Sequence, residues 1–190
     1  VTVPRPAQWF AAALKVALIR AGIQVDGAPR SVRWPEASAV SAAAVKIGEV
    51  ASPPVRTMVA DFMKPSQNLE TDLIFGHVGE TQRTAEIPER RSSEAAGVAA
   101  LREYLRRHAL PVEDVIFEGG SGLSRNNLTT ARATVALLQH MSTHRDGRDF
   151  FDSLPIAGVD GTLRRRLRGT AAEGNLRAKT GTLRWANALS

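Results

Sequence analysis

A chain of 190 residues can form one ordinary domain or a large piece of one, and 43% hydrophobic with 23% charged residues exclude a disordered chain. There is no cysteine, which excludes a disulfide framework and a thiolate metal site. The formal net charge of +6 favours anionic partners through long-range attraction but identifies none.

No apolar run reaches bilayer length, so no transmembrane segment is expected. Val1 to Gln8 carry two prolines and no apolar core, unlike a signal peptide. The chain lacks an initiator methionine, and Ala186 to Ser190 stop in mid-pattern without a turn or cap. The expectation is a chain that begins and ends inside a longer protein.

Helical spacing of Phe10, Leu14, Ala17, Leu18 and Ala21 predicts a helix over Gln8–Ala21, closed at Gly22. Ile23–Val25 reads as a short strand before the Asp26-Gly27 turn, and the alternation of Val45–Val50 reads as a half-buried strand. After Ser52-Pro53-Pro54, a helix presents Val55, Met58, Val59 and Phe62 and must stop near Lys64, because Pro65 cannot donate a helical hydrogen bond. A third helix restarts near Asn68 with Leu69, Leu73 and Ile74 facing inward. Glu80–Arg91 reads as a loop.

Ser93–His108 is predicted helical on the stripe Val98, Leu101 and Leu105. Asp114–Phe117 is a short strand leading into Gly119-Gly120-Ser121-Gly122. Thr129 or Thr130 caps a helix through Val135, Leu138 and Met141. Leu154–Asn175, rich in glycine and arginine, reads as loop, and Leu176–Leu183 alternates as a strand. Trp9, Trp34 and Trp185 are expected to pack in the interior. Few strands and several helices, not regularly alternating, give a mixed α/β chain of the α+β kind rather than a doubly wound parallel sheet.

Two short motifs carry chemistry. Lys64-Pro65-Ser66-Gln67-Asn68 places Ser-x-Asn in a break between helices, where side chains and freed backbone groups can face a cleft. Lys179-Thr180-Gly181-Thr182 lies on a predicted strand. A hydroxyl such as Ser66 can accept and donate, so it can relay a proton. Asn68 can orient a substrate amide, and Lys179 supplies a fixed positive charge. Gly181 lets a substrate backbone approach, and the hydroxyls of Thr180 and Thr182 can bind a carboxylate. Either motif alone is weak, equally readable as a helix cap or a strand-end turn.

Two other patterns attract attention. The basic run Leu163–Arg168 has no aromatic stacking platform, which favours a solvated edge over nucleic-acid binding. His140 and His144 have the i,i+4 spacing of a helical metal site, but no glutamate or third ligand accompanies them, so no metal is expected.

Ser-x-Asn and Lys-Thr-Gly, with Gly120-Ser121-Gly122-Leu123-Ser124-Arg125, Ala157–Leu163 and Ala178–Leu183, resemble the class C low-molecular-mass penicillin-binding proteins, peptidase family S13. The resemblance runs from about Ala7 to Ser190. It implies the serine β-lactamase/DD-peptidase fold, incomplete here, with helices packed on an antiparallel sheet. Residues 1–50 would be the end of an inserted region, and residues 51–190 the C-terminal part of the penicillin-binding domain. The implied activity is that of a D-Ala-D-Ala carboxypeptidase or endopeptidase on peptidoglycan stem peptides. It would be extracytoplasmic, inhibited by β-lactams and independent of cofactors. A non-catalytic peptidoglycan- or protein-binding module of the same fold is the alternative.

In that family Ser66, Asn68 and Lys179 would be catalytic. Thr180, Gly181, Thr182, Leu123 and Arg125 would contact substrate. The family's nucleophilic Ser-x-x-Lys is absent: three residues before Lys15, Lys46, Lys64 and Lys179 stand Ala12, Ala43, Asp61 and Leu176. The resemblance also implies that a closing strand and helix beyond Lys-Thr-Gly are missing. Two departures stand out: Asn68 leads to Leu69-Glu70-Thr71-Asp72 rather than Leu-Tyr-Ala-Glu, and Gly119 replaces an aspartate before Gly-Ser-Gly.

Overall fold

The structure, a computed structural model, describes residues 3–32, 42, 44–46, 48–82 and 92–190. It divides into two units, Val1–Ala51 and Ser52–Ser190.

In the first unit, helix α1 spans Pro6–Arg20, with proline in its first turn and Arg20 in its last. Gly22 adopts the left-handed backbone of the C-terminal cap (φ 81), and Ile23 N–H donates to Leu18 O at 3.0 Å. The expected apolar stripe does not bury itself, since Phe10 and Leu14 are exposed. Neither expected strand forms among the described residues. Ile23–Val25 is irregular, and the described residues of Val45–Val50 have no strand pairing. Alternation marks a face, but a strand needs a neighbour for its backbone groups, and none is present among the described residues. Trp34 lies outside the described residues.

The second unit holds helices α2 (Val55–Met63), α3 (Asn68–Thr81) and α4 (Ser93–Arg107), then a 3₁₀ turn at Val112–Asp114. Strands β1 (Val115–Ile116) and β2 (Leu128–Thr129) pair antiparallel. Helices α5 (Ala131–Thr143) and α6 (Gly147–Ser153), a 3₁₀ turn at Gly161–Leu163, and the antiparallel pair β3 (Thr180–Leu183) and β4 (Ala186–Leu189) complete it. Ser92 and Thr130 cap α4 and α5, each accepting a hydrogen bond from the backbone three residues on. Past Lys-Thr-Gly the chain turns back on itself, and β4 pairs with β3. Of the loop expected at 80–91, Glu80 and Thr81 belong to α3 instead, and residues 83–91 lie outside those described.

Leu69 and Leu73 are exposed rather than inward. The contact face of α3 runs through Phe75 and Gly79, because α4 crosses closely there: a Cβ on Gly79 would lie 2.2 Å from Ser93 O. Val135 is likewise exposed, and Ala133 is the buried residue of α5. Leu105, Leu110, Val115 and Ala133 form a core cluster with Tyr104, Phe117 and Ala136 against it. The segment read as loop after Leu154 is interior only in its first part, with Leu154, Pro155, Ala157 and Leu163 buried, while residues 164–171 are exposed. Trp9 and Trp185 are exposed, so neither packs in the interior as expected.

Candidate active site

The break between α2 and α3 is built by Pro65 and completed by Ser66. Ser66 N–H donates to Met63 O at 3.2 Å and Gln67 N–H to Phe62 O at 2.8 Å, which closes α2 with a reversed turn. Ser66 sits at φ 65, the left-handed position that glycine usually fills at a helix end. A serine held there stores strain, as residues at functional sites often do.

Across a cleft of about 490 Å³, Lys179 directs its ammonium at this hydroxyl. Lys179 Nζ donates to Ser66 Oγ at 2.6 Å and to Thr180 O at 2.8 Å. Burial lowers the Lys179 pKa from its ordinary value. The strand is anchored from behind: Ala178 is buried, and its N–H donates to Pro155 O at 3.1 Å.

The β3–β4 register decides which backbone groups face the cleft. Lys179 and Ser190 exchange both backbone hydrogen bonds, at 2.7 and 3.1 Å. Antiparallel alternation then makes Gly181–Ala188 and Leu183–Ala186 the hydrogen-bonded pairs. The N–H groups of Thr180 and Thr182 therefore point away from β4, to the free edge of the hairpin. Thr180 Oγ1 donates to Thr162 Oγ1 at 2.8 Å.

The third wall is the Gly-Ser-Gly loop. Ser121, Gly122 and Leu123 line the cleft together with Ser66, Asn68, Lys179, Thr180, Gly181 and Thr182. Of the residues singled out in the sequence, only Arg125 is not part of this lining. Its Nη2 instead donates to Arg184 O at 3.1 Å, bracing the loop against the β3–β4 turn. Glu118 folds the same loop. Its carboxylate accepts from Ser124 Oγ and from Asn126 Nδ2, and these bonds, Ser124's foremost, hold its pKa below the usual glutamate range. Ser121, Thr162 and Asn187 also border the cleft, although residue-type reasoning gave them no role.

A hydroxyl that accepts from an ammonium keeps its own proton free to donate. The pair Lys179–Ser66 can therefore pass a proton to a group entering the cleft, and the free-edge N–H of Thr182 can stabilise developing negative charge.

The solved structure of penicillin binding protein 4 (dacB) from Haemophilus influenzae aligns with 99% of this chain and 40% of its own, at a TM-score of 0.78 and 26% identity. The same protein complexed with a novel β-lactam aligns equally well, at a TM-score of 0.78 over 96% of this chain. The fold is therefore the α+β fold of the penicillin-binding proteins, present in part.

The family model for the D-Ala-D-Ala carboxypeptidase 3 (S13) family matches residues 1–190, and the chain belongs to that family. A D-alanyl-D-alanine carboxypeptidase from Actinomadura sp. (strain R39) is 36% identical over 138 residues, 70% of this chain and 24% of that protein. D-alanyl-D-alanine carboxypeptidase DacB from Haemophilus influenzae is 30% identical over 135 residues, 70% of this chain and 27% of that protein. The chain thus aligns with about a quarter of the length of these relatives.

Proposed function

We propose that the intact protein is a serine-type D-Ala-D-Ala carboxypeptidase/endopeptidase that cleaves peptidoglycan stem peptides through an acyl-enzyme in an extracytoplasmic compartment. The observation that carries this reading is the 2.6 Å contact of Lys179 Nζ with Ser66 Oγ inside the cleft. The family supports it, as do relatives named as D-alanyl-D-alanine carboxypeptidases. Residues 1–50 then end an inserted region, and residues 51–190 form the C-terminal part of the penicillin-binding domain.

The nucleophile is a serine of a Ser-x-x-Lys motif outside these 190 residues, activated by its own lysine. Its oxygen attacks the carbonyl carbon between the two D-alanines, with the Thr182 N–H as one oxyanion donor. As the C–N bond breaks, Ser66 gives a proton to the leaving amine and is recharged from the Lys179 ammonium. Asn68 holds the substrate amide. Thr180 and Thr182 receive the terminal carboxylate, and Leu123 contacts the stem side chain. Water then hydrolyses the acyl-enzyme. The chemistry calls for no metal or organic cofactor.

A fluorescent penicillin tests the reading, since β-lactams acylate the same serine. The intact protein is expected to become covalently labelled and the isolated 190-residue chain to remain unlabelled. An unlabelled intact protein would overturn the peptidase reading; a labelled isolated chain would overturn the placement of the nucleophile.

A further inference from the structure

The Gly-Ser-Gly wall is held by a residue that does not itself reach the cleft. Asp72 lies one turn after Asn68 on α3. Its Oδ1 accepts from Gly120 N–H at 3.1 Å and from Ser121 N–H at 2.8 Å. The loop backbone rests directly on the helix at this point: a Cβ on Gly120 would stand 2.7 Å from Phe75 Cβ and 2.8 Å from Thr71 O. The two donors precede Gly122 and Leu123, which line the cleft opposite Lys179. Asp72 is absent from that lining.

We infer that Asp72 is a positioning residue that fixes the substrate-facing wall Ser121–Leu123 relative to Ser66 and Asn68. Its carboxylate makes two hydrogen bonds to backbone N–H groups, and charge-assisted bonds of this kind are the stronger class. The same helix that opens with Asn68 therefore sets the position of the opposing loop, so two walls of the cleft move as one body. Without the carboxylate, two half-buried N–H groups lose their acceptor and the loop loses its register on α3. Substrate binding should suffer first, because Leu123 is carried by the loop, whereas the Ser66–Lys179 pair is built from other elements. The binding role of this wall rests on the function proposed above; the anchoring of the loop does not.

The test uses the intact protein and two readouts. Hydrogen exchange at the amides of Gly120 and Ser121 reports the anchor, and steady-state cleavage of a D-Ala-D-Ala peptide reports the wall. Asp72→Ala is expected to speed exchange at both amides and to raise KM about tenfold, with kcat changed less than about threefold. Asp72→Asn, which keeps Oδ1 as an acceptor, is expected to restore both. Gly120→Ala disturbs the same contact from the loop side and is expected to reproduce the rise in KM.

Unchanged exchange at Gly120 and Ser121 in Asp72→Ala overturns the inference, as does a fall in kcat with KM preserved. Equal damage from Asp72→Asn and Asp72→Ala overturns it too. If the wild-type protein cleaves no D-Ala-D-Ala peptide, the proposed function fails, and the exchange readout still decides the role of Asp72.

Discussion

Lys64 Nζ lies 2.6 Å from Asp160 Oδ2, and this ion pair ties the helix break that carries Ser66 to the turn whose Thr162 meets Thr180. Lys64 precedes Ser66 in the helix break, and Asp160 opens the turn whose Thr162 touches Thr180. The backbone runs alongside, with Thr162 N–H donating to Lys64 O at 3.1 Å. Asp160 Oδ1 also accepts from Ile156 N–H at 2.8 Å, so one carboxylate serves two elements. The two side chains are 26% and 33% exposed, which tempers the Coulomb contribution through solvent screening. Asp160→Ala should destabilise by about 1–2 kcal/mol, because the Ile156 N–H loses its acceptor and the Lys64 ammonium is left with Leu154 O alone, at 3.1 Å. Asp160→Asn should cost less. Urea unfolding checks this, and an unchanged midpoint for Asp160→Ala would show that the pair does not hold the motifs together.

The turn beside that ion pair leaves no room for a side chain. Gly161 has φ +53, and a Cβ there would lie 2.5 Å from Lys64 O. Gly161→Ala must therefore push the turn away from the helix break, at a cost of about 2–3 kcal/mol. The same displacement would pull Thr162 from Thr180. The expected outcome is a lower thermal midpoint together with slower penicillin acylation of the intact protein. A variant of wild-type stability would contradict the close approach.

Ser66 separates strain from chemistry. Ser66→Ala keeps the left-handed backbone and its strain but removes the hydroxyl that accepts from Lys179, leaving Thr180 O. Ser66→Gly removes the hydroxyl and relaxes the backbone. Both should slow acylation by about a hundredfold or more, the range for loss of a proton-transfer group. The glycine variant should be the more stable by about 1 kcal/mol, measured by urea unfolding. Equal stability of the two would deny that strain is stored at this position. Lys179→Ala should match them in acylation, and unchanged acylation would remove Lys179 from the site.

Motifs on local breaks and strands were legible in the sequence. Pro65 announces the end of α2, Thr130 caps α5, and the alternation up to Leu183 marks β3. What was not legible depends on tertiary approach. The inward face of α3 includes Gly79, a residue with no hydrophobic signal, because α4 comes close enough to exclude any side chain there. Leu69 and Leu73 look like core residues by type but lie on the other face. Asp72 and Asp160 carry no local signal of a structural role; only the fold brings backbone N–H groups onto them. The strand expected at Val45–Val50 finds no pairing among the described residues for the converse reason, since pattern alone supplies no partner.

The ends of α4 and α5 carry a cluster of imidazoles, and the titration of its central member, His140, should be visible in stability. His140 stacks between His108 and His144, with ring centroids 4.7 and 5.4 Å away, and Tyr104 shares a 2.9 Å hydrogen bond with its Nε2. Asp146 lies beyond, 3.7 Å from His144 Nδ1. Desolvation, and then the neighbouring His108 and His144, lower the His140 pKa from 6.5. The folded state therefore holds this proton less tightly than the unfolded chain does. Below 6.5 the unfolded chain takes up the proton first, so stability falls as pH drops from 6.5 to the folded pKa and levels off beneath it. His140→Gln removes the titrating group and should flatten that part of the stability profile. Urea midpoints measured across the window decide the matter: a His140→Gln profile as steep as wild type would place the acid sensitivity elsewhere.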